Sequence, residues 1–189
     1  NIFQALGVFL ESMRPYLVKI LKKHFPAEPW EGVFFQRLTV EKQGMWNQAQ
    51  KQGVEPIMRI DYHNLSFLAS KFRDELSIEL GDKQKTFTFD NCMRELQDAR
   101  NKCQHYTPLT EDEKERAFSN MIMIANMLNM SDLRNEINRL KAKQTINATS
   151  QNVNIPVATT KPILNSTVDD DSPIMSWFNN CLPHYDIRN

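Results

Sequence analysis

Between Asp90 and Tyr106 the chain reads Asp-Asn-Cys-Met-Arg-Glu-Leu-Gln-Asp-Ala-Arg-Asn-Lys-Cys-Gln-His-Tyr. Three residues there have types that do chemistry together: Arg100, Asn101 and His105. An arginine is a permanent cation whose fork suits phosphate oxygens. An imidazole gives or takes a proton near neutral pH. Together they suit metal-free cleavage of RNA, with the substrate's own 2′-hydroxyl as nucleophile. The imidazole would act as base or acid, and the guanidinium would steady the charge on the pentacoordinate phosphorus. Asn101 would orient the imidazole or a phosphate oxygen.

The element that must position them is a helix. At about 100° per residue, Cys92, Leu96, Ala99 and Cys103 fall within roughly 60° of one another. That stripe faces the core. Asn101 and His105, four apart, share a face nearly opposite it. Arg100 lies at the margin. Thr107 precedes Pro108, which disfavours helix, so His105 sits in the last turn beside the negative end of the macrodipole. On one straight helix Arg100 and His105 diverge by about 140°. Either the helix ends near Gln104, or a second copy completes the site across a two-fold axis. The alternative is structural, with His105 only a favourable partner for the helix end and Arg100 a solvated side chain.

Arg100-Asn101-Lys102-Cys103-Gln104-His105, on a long helix of an all-helical domain, resembles the signature of the HEPN superfamily (higher-eukaryote and prokaryote nucleotide-binding). Residues 1–130 are more narrowly similar to the subgroup named for a eukaryotic nuclear RNA-quality-control endoribonuclease. The opening Phe9-Leu10-Glu11-Ser12-Met13-Arg14-Pro15-Tyr16-Leu17 resembles its first helix, and Asp61-Tyr62-His63-Asn64-Leu65-Ser66-Phe67-Leu68 its middle segment. The resemblance implies an all-α, HEPN-like bundle of about five helices that dimerises, placing two Arg/His motifs at the seam. It implies RNA as partner and no metal or cofactor. It makes Glu11 and Arg14 supporting residues at most. Some members carry a tyrosine two residues after the histidine; Thr107 stands there, and Tyr106 follows His105 directly.

Composition bounds the rest. The chain has 189 residues, 41% of them hydrophobic, with a mean hydropathy of −0.53. That suits one domain plus a tail. Charges balance at 23 and 23. Residues 1–143 carry 21 Lys/Arg and 19 Asp/Glu, and residues 144–189 carry 2 and 4. There is no basic footprint of the kind that grips duplex nucleic acid. RNA contact must be local, or shared between copies that juxtapose Arg100 and Arg94. Cys92, Cys103 and Cys181 form no paired spacing, which points to a reduced, cytoplasmic protein. No apolar run is long enough to span a membrane. The chain begins without methionine and reads as part of something longer.

Along the chain, periodicity predicts a helix over 2–23, kinked or split by Pro15. A second covers 30–50, its aromatics belonging to the core. A third covers 61–80, capped by Asp61. His63 lies early in it with no ligand-spaced partner, which argues against a metal role. Gly81-Asp82-Lys83 is a stop. Thr86 to Phe89 leads into the central helix, capped by Thr88 or Asp90. Thr110 and Glu113 form a capping box for a methionine-rich helix to Leu128. Ser131 caps a short charged helix, 132–143.

Residues 1–143 are therefore expected to be the HEPN-like domain. Residues 144–172, rich in Asn, Thr, Ser and Pro, read as a flexible linker. Residues 173–189 read as a docking tail or the start of a following domain. Trp177…Pro183-His184-x-Asp186 resembles the opening of a large P-loop ATPase of prokaryotic phage-defence loci. That makes an ATPase or defence-system partner the expectation. The phosphate-cradling glycines are not in this sequence, since none follows Gly81. Three functions remain from these residues: a metal-independent endoribonuclease module of an antiviral, toxin-like protein, an inactive dimerisation or RNA-binding adaptor for a defence ATPase, or a plain helical interaction domain.

Overall fold

Helix α1 (Ile2–His24) runs unbroken through Pro15. A proline removes one backbone donor and crowds the preceding turn, a cost of about 3 kcal/mol in a free helix. Here Phe9, Met13, Leu17, Ile20 and Leu21 are buried on both sides of the proline, so packing keeps the two halves in one helix. The structure, a computed structural model, describes residues 2–151. The tail at 173–189 and the linker beyond Gln151 lie outside the described residues.

After α1 come α2 (Trp30–Arg37), α3 (Val40–Lys51), a 3-10 turn (Pro56–Arg59), α4 (Tyr62–Lys71), α5 (Arg73–Leu80), α6 (Lys83–Gln104), α7 (Glu111–Met127) and α8 (Ser131–Gln151). The described residues contain no strand. The fold is all-α. The eight α-helices of the described residues exceed the bundle of about five that the resemblance implies, because periodicity predicts six helical segments and two of these are each divided. The segment 30–50 breaks at Leu38 and Thr39, both extended, and the Thr39 hydroxyl accepts from the Lys42 N–H at 3.4 Å to cap α3. The segment 61–80 breaks at Phe72, with φ −120° and ψ 36°. The Phe72 ring is buried beside Phe25 and stacked on Phe34 at 6.5 Å, with the Arg37 guanidinium 4.4 Å from its centroid. Arg37 also donates to the Lys71 carbonyl, taking the orphan acceptor that the break exposes.

Helix α6 begins earlier than expected. Gly81 adopts a left-handed φ of 69°, and the Asp82 carboxylate accepts from the Gln84 N–H at 2.8 Å. Asp82 is thus the cap, not Thr88 or Asp90, and Thr86 to Phe89 are helical. Its 22 residues extend about 33 Å. Helix α8 likewise runs past residue 143 to Gln151, overlapping the stretch expected as linker. Leu133, Ile137 and Leu140, at spacings of four and three, are buried, and α8 packs on α1 and α7. Helix α6 in turn packs against α4, α5 and α7.

One polar group in the core fixes how α4 starts. Arg14, 5% exposed, donates from Nε to the Ile60 carbonyl at 2.8 Å and from Nη2 to the Met58 carbonyl at 3.3 Å. Its Nη1 meets Glu11 Oε1 at 2.6 Å. Glu11 and Arg14, supporting residues at most in the sequence reading, thus form a structural clamp from α1 onto the 3-10 turn. Tyr62, the first residue of α4, is buried and donates from its hydroxyl to the Leu6 carbonyl at 2.6 Å. The Asp61 carboxylate accepts from the Asn64 N–H at 2.8 Å, the predicted cap.

Replacing Arg14 with leucine strips two carbonyls of their donor and leaves Glu11 without its cation. A loss of about 2–4 kcal/mol is expected, read by chemical denaturation. A loss below about 0.5 kcal/mol, the range of neutral surface changes, would show that the clamp contributes nothing.

Candidate functional site

Arg100, Asn101 and His105 stand at the C-terminal end of α6. The stripe that orients them is buried as expected: Cys92, Leu96, Ala99 and Cys103 all face the core. Arg100 and Asn101 are half-buried. Arg100 Nη1 donates to Asn101 Oδ1 at 3.2 Å, so the structure joins these two side chains although their helical directions differ by about 100°. That bond takes the Asn101 oxygen and leaves its amide N–H groups to serve as donors.

His105 is the capping residue of α6, which ends at Gln104 as the first of the two geometric conditions requires. It is exposed, and its backbone N–H donates to the Asn101 carbonyl at 3.0 Å. The imidazole is thus linked to Asn101 through the backbone, not through a side-chain bond. Arg94, the other cation considered, is held by Asp90 at 2.9 Å.

The end of α6 is closed by a defined motif. Tyr106 has φ 55°, its N–H donates to the Cys103 carbonyl at 3.3 Å, and the Thr107 N–H donates to the Lys102 carbonyl at 2.9 Å. This is a Schellman ending. The same pattern closes α3 at Gly53 and α7 at Asn129. Glycine and asparagine tolerate a left-handed backbone; a tyrosine does so at a cost. Tyr106 is moreover 92% exposed, so its ring recovers little by packing.

Across the turn, the capping box on α7 forms as predicted. Thr110 Oγ1 accepts from the Glu113 N–H at 3.2 Å, and Glu113 Oε2 accepts from the Thr110 N–H at 2.9 Å. Glu113 also pairs with Lys102 of α6, fastening both ends of the turn that carries His105. The Lys102 ammonium and then the Thr110 N–H hold the Glu113 carboxyl down at about 2.

A second imidazole lies on the same side of α6. His63, exposed in the first turn of α4, meets the side chain of Gln97 at 2.8 Å, and the Ser66 hydroxyl donates to Gln97 Oε1. Sequence gave no sign of this group, because His63 and Gln97 are 34 positions apart and belong to no local motif. Burial raises the Tyr62 phenol well above its ordinary value, and the charges of Arg100 and Arg14 oppose that rise.

Other chemistries are poorly served. Burial, aided by Glu95, pushes the Cys92 thiol up to about 11, and burial raises Cys103 as well, so both stay protonated at neutral pH. Among the described residues no cluster of three or more His, Cys, Asp or Glu could hold a metal ion. No described helix is long and apolar enough to cross a membrane.

Comparison with protein families gives one match: the model described as Swt1-like HEPN aligns with residues 4–129, more than half of the chain. Neither a curated protein nor a solved structure matches.

Two outcomes are expected at this end of α6. Glu113 has its carboxyl lowered on folding, so its contribution is complete above about pH 4.5 and lost as pH falls toward about 2. Glu113→Gln should lower stability at pH 7 and flatten the acid limb of the unfolding curve in that window, read by thermal melts across pH. Tyr106→Gly should raise stability by up to about 1 kcal/mol, the left-handed penalty less glycine's extra chain entropy. A loss in that melt would contradict the assigned backbone.

Proposed function

The chain belongs to the Swt1-like HEPN family, and on that premise we propose that it is a metal-independent endoribonuclease module. The observation that supports this most is the grouping at the end of α6. A guanidinium bonded to an asparagine amide lies one turn before an exposed imidazole on a rigid cap. In this reading Arg100 binds the scissile phosphate and offsets its developing charge. Asn101 presents its free N–H groups to a phosphate oxygen. His105 moves the proton.

The nucleophile comes from the substrate itself, and the protein supplies phosphate binding and proton transfer. A base takes the proton of the 2′-hydroxyl, O2′ bonds to phosphorus, and the P–O5′ bond breaks. The departing O5′ takes up a proton, leaving a 2′,3′-cyclic phosphate and a 5′-hydroxyl. Two proton transfers are required, and one copy presents a single His105. A two-fold axis that brings a second α6 alongside would supply the other imidazole and draw Arg100 and His105 together despite their angular divergence. We therefore place the active form as a homodimer with the site at its seam. The tail resemblance makes a prokaryotic defence protein with a following ATPase the proposed setting, in the cytoplasm.

The test is cleavage of mixed cellular RNA by the purified protein in chelator. Arg100→Ala and His105→Ala should each reduce the rate by about 100-fold or more, and Asn101→Ala by less. Activity that survives both of the first two substitutions would remove the site from consideration. A folded wild-type dimer that binds RNA and does not cleave it would favour the adaptor role instead.

A further inference from the structure

Ser66, Gln97 and His63 form a chain of hydrogen bonds whose order fixes a tautomer. The single Ser66 hydroxyl hydrogen faces two acceptors, the Gln97 carbonyl oxygen at 2.5 Å and the His63 main-chain carbonyl at 3.2 Å, and the nearer one takes it. The amide nitrogen therefore faces His63 Nδ1, at 2.8 Å. An amide NH2 only donates, so Nδ1 must accept, and the neutral ring carries its hydrogen on Nε2. His63 is exposed, so this donor is offered to solvent. The tether also joins α4 to α6. The tether costs side-chain freedom in Gln97 and Ser66. It holds one polarity of the imidazole outward.

The direction in which it is held matters. On α6, Gln97 lies between its neighbours in angle, about 60° from Arg100 and about 40° from Asn101. It precedes them by three and four residues, or about 4.5 and 6 Å along the axis. The Asp61 cap and the Tyr62–Leu6 bond anchor the first turn of α4 from which His63 projects. The exposed side of α6 thus carries an ordered strip: His63 on Gln97, then the Arg100–Asn101 pair, then His105. From Gln97 to His105 it covers about 12 Å. That is too long for one phosphodiester, so a group at its far end meets a neighbouring one.

We propose that His63 is a substrate-binding residue of this RNA site, donating from Nε2 to an oxygen of the phosphodiester next to the one cleaved. The proposal rests on the ribonuclease reading for the location of the scissile phosphate. It adds a directional requirement: bound RNA is single-stranded, runs along α6, and spans at least two consecutive phosphates. A neutral N–H donor suits the near-balanced charge of this domain, where affinity must come from placed hydrogen bonds more than from a basic field.

The experiment uses the whole chain, a mixed-sequence RNA hexamer, the same hexamer 2′-O-methylated throughout so that it lacks the nucleophile, and a dinucleotide with a single phosphate. His63→Leu removes the donor, and His63→Gln restores an N–H near the position of Nε2. Expected is a loss of about tenfold in affinity for the methylated hexamer, and a like rise in KM for the cleavable one, with His63→Leu. His63→Gln should stay within about threefold of wild type, and dinucleotide cleavage should be unchanged in both variants. Unchanged hexamer affinity in His63→Leu, with His105→Ala inactive, would overturn the proposal and leave the ribonuclease reading standing. Loss of dinucleotide cleavage in His63→Leu would also overturn it, since the ring would then act at the scissile phosphate. Wild-type protein that binds the hexamer through His63 without cleaving it would sink the ribonuclease reading alone. Wild-type protein that binds no RNA would overturn both.

Discussion

The buried Arg14 guanidinium is the constraint on which the placement of the polar face depends. A charge in the core is tolerated only when its donors are taken up, and here two main-chain carbonyls and a carboxylate do so. Because Met58 and Ile60 supply those carbonyls, the 3-10 turn is held to α1, and α4 must begin where that turn releases the chain. The Tyr62 hydroxyl, bonded to Leu6, repeats the restraint two residues later. These three bonds to α1 thus determine where the first turn of α4 meets α6. His63 reaches Gln97 because of them, and so the two polar groups share one side of the molecule.

The other end of the site is built from local interactions. Helix α6 is closed by a Schellman turn, α7 is opened by a capping box, and Lys102 with Glu113 spans the gap between them. Every orphan group that these bonds satisfy would otherwise need water or a looser chain. The result is a short connection that carries His105 on a helix end. Tyr106 is the exception in this economy: an exposed aromatic ring on a left-handed backbone, where α3 and α7 use glycine and asparagine. The structure gives it no packing that offsets the strain.

Charge and burial together narrow the chemistry. Cys92 and Cys103 are held protonated, and the described carboxylates and imidazoles do not gather at metal spacing. What the polar face offers is a guanidinium, two amides and two imidazoles. These groups stabilise anionic oxygen and move protons. With as many acids as bases in the chain, they must act by position and not by a broad electrostatic field.

Local rules made much of this legible in the sequence. The apolar stripe of α6, the cap at Asp61, the capping box at Thr110 and the stop at Gly81 follow from side-chain period and from which residues satisfy helix ends. So do the positions of Arg100, Asn101 and His105 on their helix. The division of helices at Leu38–Thr39 and at Phe72 was harder to see, because an aromatic core that draws Phe72 inward overrides a continuous helical period. The same holds for α1, where packing overrides Pro15. The bond between Arg100 and Asn101 and the tether of His63 to Gln97 could not be read at all. The first depends on side-chain reach between different helical directions. The second depends on two helices meeting at one place, and their separation in sequence carries no period for a local rule to detect. Sequence by itself determined which groups the end of α6 offers. Only tertiary packing, set by the Arg14 clamp, decided which other groups stand beside them.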